Sequence, residues 1–344
     1  MSEVVSGRPM KPMNRRRAFL WRAISVLLAL LILLVLALMW WWDTEPADFD
    51  VVKNAEQHAA QHHHRVVPGT TTTATLIEVS RILLEKRGGY LANDILPPGV
   101  LMDNVPNWEK GVVLQIRDLA LSMRNDFARS QSQSVEDDDL RDALNFFSYK
   151  HQHWIFPSSE NQYRNGIERT EAYLKRLGDD NEEDGQFFAR ADNLEAYLEL
   201  VNKRLGSLSQ RLSASVGQDR INTDLAGDPN AQQAKPQPAE QRVKTPWLQI
   251  DDVFYEARGS TWALLHFLRA VRHDFEPVLR DKNALVSMDQ VIRELEESQE
   301  PLSSPIVLNG SPYGFFANHS LVMANYVSRA NAALIDLRRL LENG

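Results

Sequence analysis

The chain of 344 residues contains no cysteine. That absence excludes thiol nucleophiles, zinc ribbons and iron–sulfur clusters, and it leaves core packing, without disulfides, to hold any domain outside the cytoplasm. Catalytic signatures are missing too: there is no G-x-S-x-G elbow, S-x-x-K pair, H-E-x-x-H helix, P-loop or G-x-G-x-x-G turn. Nothing therefore names a reaction, and no cofactor is expected. Basic charge is scarce beyond residue 42. Residues 1–42 hold Arg8, Lys11, Arg15, Arg16, Arg17 and Arg22 against Glu3, a net of +5, so −13 falls on the rest of a chain whose total is −8. Such an acidic body lacks the footprint that phosphates need, which argues against nucleic acid as a partner and against lying flat on anionic lipid.

Long apolar runs are also lacking, with one exception. Ala23–Trp42 reads AISVLLALLILLVLALMWWW, without a charge and with Ser25 as its only hydroxyl. As a helix it rises roughly 30 Å, the depth of a bilayer's hydrocarbon core. It is too long for a signal peptide's apolar region and ends in tryptophans rather than in a small-residue cleavage site, so it reads as an uncleaved signal anchor. Arginines precede it and Asp43, Glu45, Asp48 and Asp50 follow. The positive-inside rule then places residues 1–22 as a basic tail in the cytoplasm and the C-terminal domain outside, with Trp40, Trp41 and Trp42 at the far interface.

The whole chain, span included, is 43% apolar and 24% charged with mean hydropathy −0.36, so the part outside the span is expected to be a water-soluble body. Residues 43–71 read as a polar juxtamembrane tether. Within it His58 and His62 stand four apart and could offer a metal two nitrogens from one helix face, although no third ligand completes a site.

From residue 72 onward the pattern is helical throughout, so the class is all-α. Leu76, Val79 and Leu83 mark a first helix that Gly88-Gly89 ends. Val113, Ile116, Ala120, Met123 and Phe127 step 3-4-3-4. Ser134 is expected to cap the next helix, with the acidic cluster Glu136–Asp139 in its first turn. Leu140, Leu144 and Phe147 form that helix's face, and Tyr163, Ile167, Thr170, Leu174 and Leu177 the next. Leu194, Leu198, Val201, Leu205, Leu208 and Leu212 then run three heptads, the spacing of knobs-into-holes packing. Residues 216–245 lose all pattern and read as a flexible, disordered linker. Beyond it Ile250 to Phe275 and Phe316 to Leu341 form two further seams around a shorter helix at Leu285–Leu295.

The two sides of that linker resemble each other. Gly111–Phe147 matches Gly259–Leu295 at a constant offset of 148, bringing Arg124, Asp126 and Phe127 onto Arg272, Asp274 and Phe275. A second echo pairs Phe187-Phe188-Ala189 with Phe315-Phe316-Ala317, each expected to open a long helix. The expected organisation is a bundle unit over 72–215, the linker 216–245 and a related unit over 246–344. The arginine and aspartate landmarks are expected to pair with neighbouring helices, an arginine-lined anion site being the sharper alternative.

Two loops are apolar where loops are usually polar. One holds His151, His153, Trp154 and Phe156, the other Ile306, Val307, Leu308 and Tyr313; the expectation is that both tuck under the bundle ends as plugs, with exposed binding elements as the alternative. His151, His153 and Glu160 form a weak candidate metal set. Gly89–Gly99, Asp103–Glu109, Arg129–Ser134, Leu308–Ser311 and Asn318–Tyr326 together resemble a proteobacterial family of single-span membrane proteins known only as a domain of unknown function. The resemblance implies a Gram-negative inner-membrane protein with a periplasmic domain and supplies no activity. The first expectation is a non-enzymatic component that binds or scaffolds other envelope proteins, with homo-oligomerisation left open because heptads also pair between chains. The alternatives are a small-ligand or metal binder and an envelope enzyme that cleaves glycans or peptides.

Overall fold

The computed structural model describes residues 15–129, 135–179, 185–221, 240–304 and 306–343, which form eleven helices and one short β-ribbon. Two long helices make the centre. α4 (Asn104–Ser122, continued by a π-turn over Met123–Phe127) and α8 (Ile250–Asp274) run parallel. Asn107 donates to Asp252 (2.7 Å), Lys110 pairs with Glu256 (2.8 Å), and the Phe127 and Phe275 rings meet at 5.1 Å. A glycine on each helix permits the approach. A Cβ at Gly111 would stand 2.1 Å from the Glu256 carbonyl oxygen, and one at Gly259 1.9 Å from that of Trp108.

The other helices surround this pair. α3 (Thr70–Glu85) packs on α4 and on α6 (Ser159–Leu177), with α5 (Asp138–Phe147) against α4 and α6. α7 (Ala191–Ser213) packs on α8 and on α11 (His319–Asn343), with α10 (Leu285–Glu297) against α8 and α11. α9 (Glu276–Asp281) is a short turn between α8 and α10. One apolar cluster runs through both groups, so the core is continuous across residues 216–245.

α1 (Arg15–Trp42) is long and apolar enough to cross a membrane, and none of its apolar window is buried. The residues after it depart from the expected tether. Asp43–Asp50 cross α8 as a strap: the Phe49 ring stacks on His266 at 4.3 Å, and the Phe49 amide donates to His266 Nε2 (3.2 Å). α2 (Val51–His62) follows, started by the Asp50 carboxylate, which accepts the amides of Val52 and Lys53. Its polar composition hides a narrow apolar stripe of Val51, Ala55 and Ala59, all buried.

Three other expectations are refined. Ser134 lies outside the described residues, and the cap of α5 is Asp137, whose carboxylate accepts the Asp139 and Leu140 amides. Residues 222–239 of the expected linker lie outside the described residues; on either side of them β1 (Gln218–Ile221) pairs antiparallel with β2 (Glu240–Val243), and the Thr245 amide donates to the Ala214 carbonyl (2.9 Å). Each Phe-Phe-Ala triplet does directly precede a long helix, α7 or α11, but the two differ in their surroundings. α7 and α11 run antiparallel, with Arg338 on Glu195 (3.3 Å) at one end. Phe187 packs with Phe127 (5.3 Å) and Phe275 (5.6 Å), whereas Phe316 precedes α11 and is exposed.

Successive helices alternate in direction, so their connections gather at two ends. The proximal end, where α1 departs, holds the strap and the connections 86–103, 148–158, 214–249 and 298–318. The distal end holds 63–69, 128–137, 178–190 and 275–284.

Candidate functional site

The two ends differ in what they show to solvent. At the proximal end Ile95, Leu96, Val100 and Leu101 are exposed on one connection and Trp154, Ile155 and Phe156 on the next. Trp247 and Leu248 precede α8, and Ile306, Tyr313, Phe315 and Phe316 precede α11. Leu96 is 71%, Trp247 77%, Phe156 87% and Phe315 96% exposed. The distal connections and the helix starts beside them expose only Val66, Val135 and Val286 as large apolar groups among the described residues.

The proximal loops are held in place by buried polar chemistry. Glu109 is fully buried, pairs with Lys86, and accepts the amides of Leu91 (2.8 Å) and Ala92 (2.7 Å), fixing the start of the 90–103 loop. Burial raises the Glu109 carboxyl above its ordinary range, and Lys86 with the two amides holds that rise back. Tyr90 Oη donates to the His151 carbonyl (2.7 Å) and Asn93 Nδ2 to those of His153 (3.0 Å) and to Glu160 (2.7 Å), so the 90–103 and 148–158 loops are stitched together.

Arg258 organises the other side. Its guanidinium pairs with Glu45 of the strap and donates to the carbonyls of Ser298 (3.2 Å) and Glu300 (2.9 Å), the orphan acceptors past the end of α10. Two cavities adjoin it and share Pro301, Leu302 and Ser304. One, of ≈ 470 Å³, is lined by Phe254, Leu308, Met323 and Tyr326. The other, of ≈ 560 Å³, is lined by Trp40, Val105, Trp108 and Tyr255. Asp103, Asp251 and Asp252 stand at the starts of α4 and α8, where helix dipoles favour negative charge. Burial, then Glu45 and Asp103, raise Asp43; burial, then Asp251 and Asp103, raise Asp252.

The residues singled out in the sequence are distributed as follows. Trp154, Phe156, Ile306 and Tyr313 are exposed on the proximal face, while Val307 and Leu308 are half-buried, Leu308 lining the smaller cavity. His153 Nδ1 lies within reach of Tyr149 Oη (3.2 Å) and of the Ile155 (3.0 Å) and Pro157 (3.1 Å) carbonyls, so it shapes its own loop. His151 is half-buried, and burial followed by Arg117 and Lys110 lowers its pKa. His58 and His62 stack at 4.4 Å, and His64 joins the stack at 5.8 Å from His62. No group of three or more histidines, aspartates or glutamates placed to hold a metal occurs among the described residues. Arg124 pairs with Glu136 (2.7 Å), and Arg272 with Asp289. Asp274 is buried and accepts the Thr72 amide and hydroxyl (both 2.7 Å) at the start of α3, Asp126 is half-buried, and Phe127 and Phe275 lie in the distal aromatic cluster.

Sequence reasoning missed Arg258, Glu45, Lys86, Glu109 and His266. Each acts through a partner on another element, about two hundred residues away for Arg258, Glu45 and His266 and 23 for Lys86 and Glu109, which no local pattern announces. Leu96, Trp247 and Phe315 did carry a signal, being large apolar residues beside proline or glycine. The arginine is saturated by a carboxylate and carbonyls, and the cavity walls are mainly apolar.

No curated protein and no solved structure matches the chain. A model of a bacterial family described as an uncharacterized protein conserved in bacteria does, over residues 14–344. With a match of that length, the chain belongs to this family, DUF2333.

Proposed function

We propose that the protein is a single-span, membrane-anchored component of the bacterial envelope that binds or scaffolds other envelope proteins through its helical body. The observation that carries this reading is α1, an unburied apolar helix joined directly to a packed body without a catalytic constellation among the described residues. The arginines before the span and the carboxylates after it support a cytoplasmic N-terminus and a periplasmic body. A reporter fused after Gly344 is expected to be active only outside the cytoplasm. Photo-crosslinkers on the flanks of α6 and α11 are expected to capture discrete partners in cells. A cytoplasm-active reporter, or flanks that capture nothing above background, counts against it.

A second reading is favoured by the two adjoining cavities: a small amphiphile bound beside Arg258. Native mass spectrometry of protein extracted in mild detergent tests it, and a protein that carries no stoichiometric adduct speaks against it.

We also infer that the body is two related units of four main helices each, α3–α6 and α7, α8, α10 and α11, with the boundary between α6 and α7. Matching neighbours support this: α3 lies on α4 and α6 as α7 lies on α8 and α11, and α5 stands to α4 and α6 as α10 to α8 and α11. The unpatterned stretch 216–245 then falls inside the second unit, at the place where 86–103 falls in the first. Chains 1–182 and 183–344, produced together, are expected to copurify as one folded body, and fragments that fail to associate sink the reading.

A further inference from the structure

We propose that the proximal end is a lipid-docking face, whose exposed aromatic and aliphatic side chains enter the interfacial zone of the leaflet from which α1 emerges. The proposal rests on the reading of α1 as a membrane span.

The first support is the joint between α1 and the body, which contains no free chain. The Trp42 ring fills the space above Gly88, where a Cβ would come within 2.8 Å of it, and Glu45, three residues on, is already paired with Arg258. Trp40, on α1 itself, lines the same cavity as Val105 and Tyr255. A body held this closely to the end of a span cannot stand clear of the headgroups. The loops around the exit therefore meet the interface rather than bulk water.

The second support is composition. Leu96, Phe156, Trp247 and Phe315 come from four separate connections, yet all expose apolar surface at the end from which α1 departs. Indole and phenyl groups settle at the membrane–water boundary, and exposed apolar clusters of this kind mark an interaction surface. Among the described residues, the distal connections and the helix starts beside them expose only valines as large apolar groups.

The third support is charge. The stretches 91–103, 151–157, 246–249 and 306–316, which carry the exposed apolar side chains, contain no lysine or arginine, while Arg87, Lys150, Arg242 and Lys244 are exposed elsewhere on the same connections. The side chains that enter the interface are therefore apolar, and docking rests on them rather than on anionic lipid. Asp43, on the strap, and Asp252, at the start of α8, have carboxyls raised by burial and then by like charge from Glu45, Asp103 and Asp251.

The absence of cysteine makes the test direct. Full-length protein carrying a single nitroxide label is reconstituted in phosphatidylcholine vesicles, and collision with oxygen is compared with collision with a water-soluble nickel chelate. Labels go to the proximal loops (Phe156→Cys, Trp247→Cys, Phe315→Cys), the distal end (Val135→Cys, Val286→Cys) and α1 (Leu31→Cys). Oxygen-to-nickel ratios several-fold higher at the proximal sites than at the distal ones are expected, with Leu31 highest. Proximal sites that match the distal ones while Leu31 is lipid-like overturn the docking and leave the anchor standing. A water-like Leu31 overturns both. Proximal sites shielded from both reagents show a second copy seated on the face, which also overturns the proposal.

Discussion

The two central helices carry similar residues 148 positions apart, and the likeness has different consequences along their length. At their crossing it is reciprocal. Gly111 lies over the carbonyl of Glu256, Gly259 over that of Trp108, and 256 is the counterpart of 108. At the distal end it is not. Asp274 is buried and ties down the start of α3 through Thr72, whereas Asp126 is half-buried near Asp192 in the first turn of α7. Burial and then that repulsion raise the Asp126 carboxyl. Backbone contact leaves no alternative to glycine, so both crossings hold. A carboxylate cap is worth having only where donors are aimed at it, so one cap is made and the other is not.

The largest effect on this comparison comes from the crossing. Gly259→Ala and Gly111→Ala each press a methyl into a carbonyl and are expected to cost about 3 kcal/mol or more, measured by denaturant unfolding of the detergent-solubilised protein. Unequal costs would show that the crossing is less reciprocal than its distances. The aspartates come next. Asp274→Ala strands the buried Thr72 amide and is expected to cost about 1–3 kcal/mol. Asp126→Ala is expected to stay within about 0.5 kcal/mol. Similar losses at both would remove the asymmetry.

A third prediction concerns position 266 on α8, the counterpart of Asp118 on α4. Asp118 holds Arg204 of α7 at 2.8 Å, and His266 holds the strap. His266 is neutral, since Nδ1–H donates to the Trp262 carbonyl while Nε2 accepts from Phe49, and burial lowers its pKa to about 4. A histidine depressed from 6.5 contributes stability that is fully present above 6.5 and is lost as pH falls toward about 4. The slope is about 1.4 kcal/mol per pH unit for such a group. His266→Asn is expected to flatten the fall of melting temperature over that window, and an unchanged fall would place the acid sensitivity elsewhere. The smallest effect is at the proximal loops. Phe156→Ser and Phe315→Ser are expected to move stability by less than about 0.5 kcal/mol, because these rings touch little of the core. A larger loss in thermal melts would mean they plug the bundle ends.

Much of the fold is legible as periodicity. The seam of α7 from Leu194 to Leu212 and that of α8 from Ile250 to Phe275 are buried as the spacing foretells. Direction is not legible, since a heptad reads the same either way up. That is why α7 and α11 look equivalent in sequence and run antiparallel in space. The strap is hidden for another reason: Glu45, Asp48 and Phe49 find Arg258, Arg269 and His266 more than two hundred residues away. The apolar loops are visible as composition, but whether Trp154 tucks in or points out is decided by the Tyr90–His151 and Asn93–His153 contacts that splint the loop.

The close seat of Trp42 on Gly88 and the Glu45–Arg258 clasp make α1 and α8 behave like a shaft keyed to its hub. Under the proposed reading of α1 as a membrane span, a roll or tilt of the greasy rod is handed on to the scaffold behind it, and a load on that scaffold reaches the rod. A bilayer that thickens or thins would thereby reorient the surfaces available to neighbouring proteins.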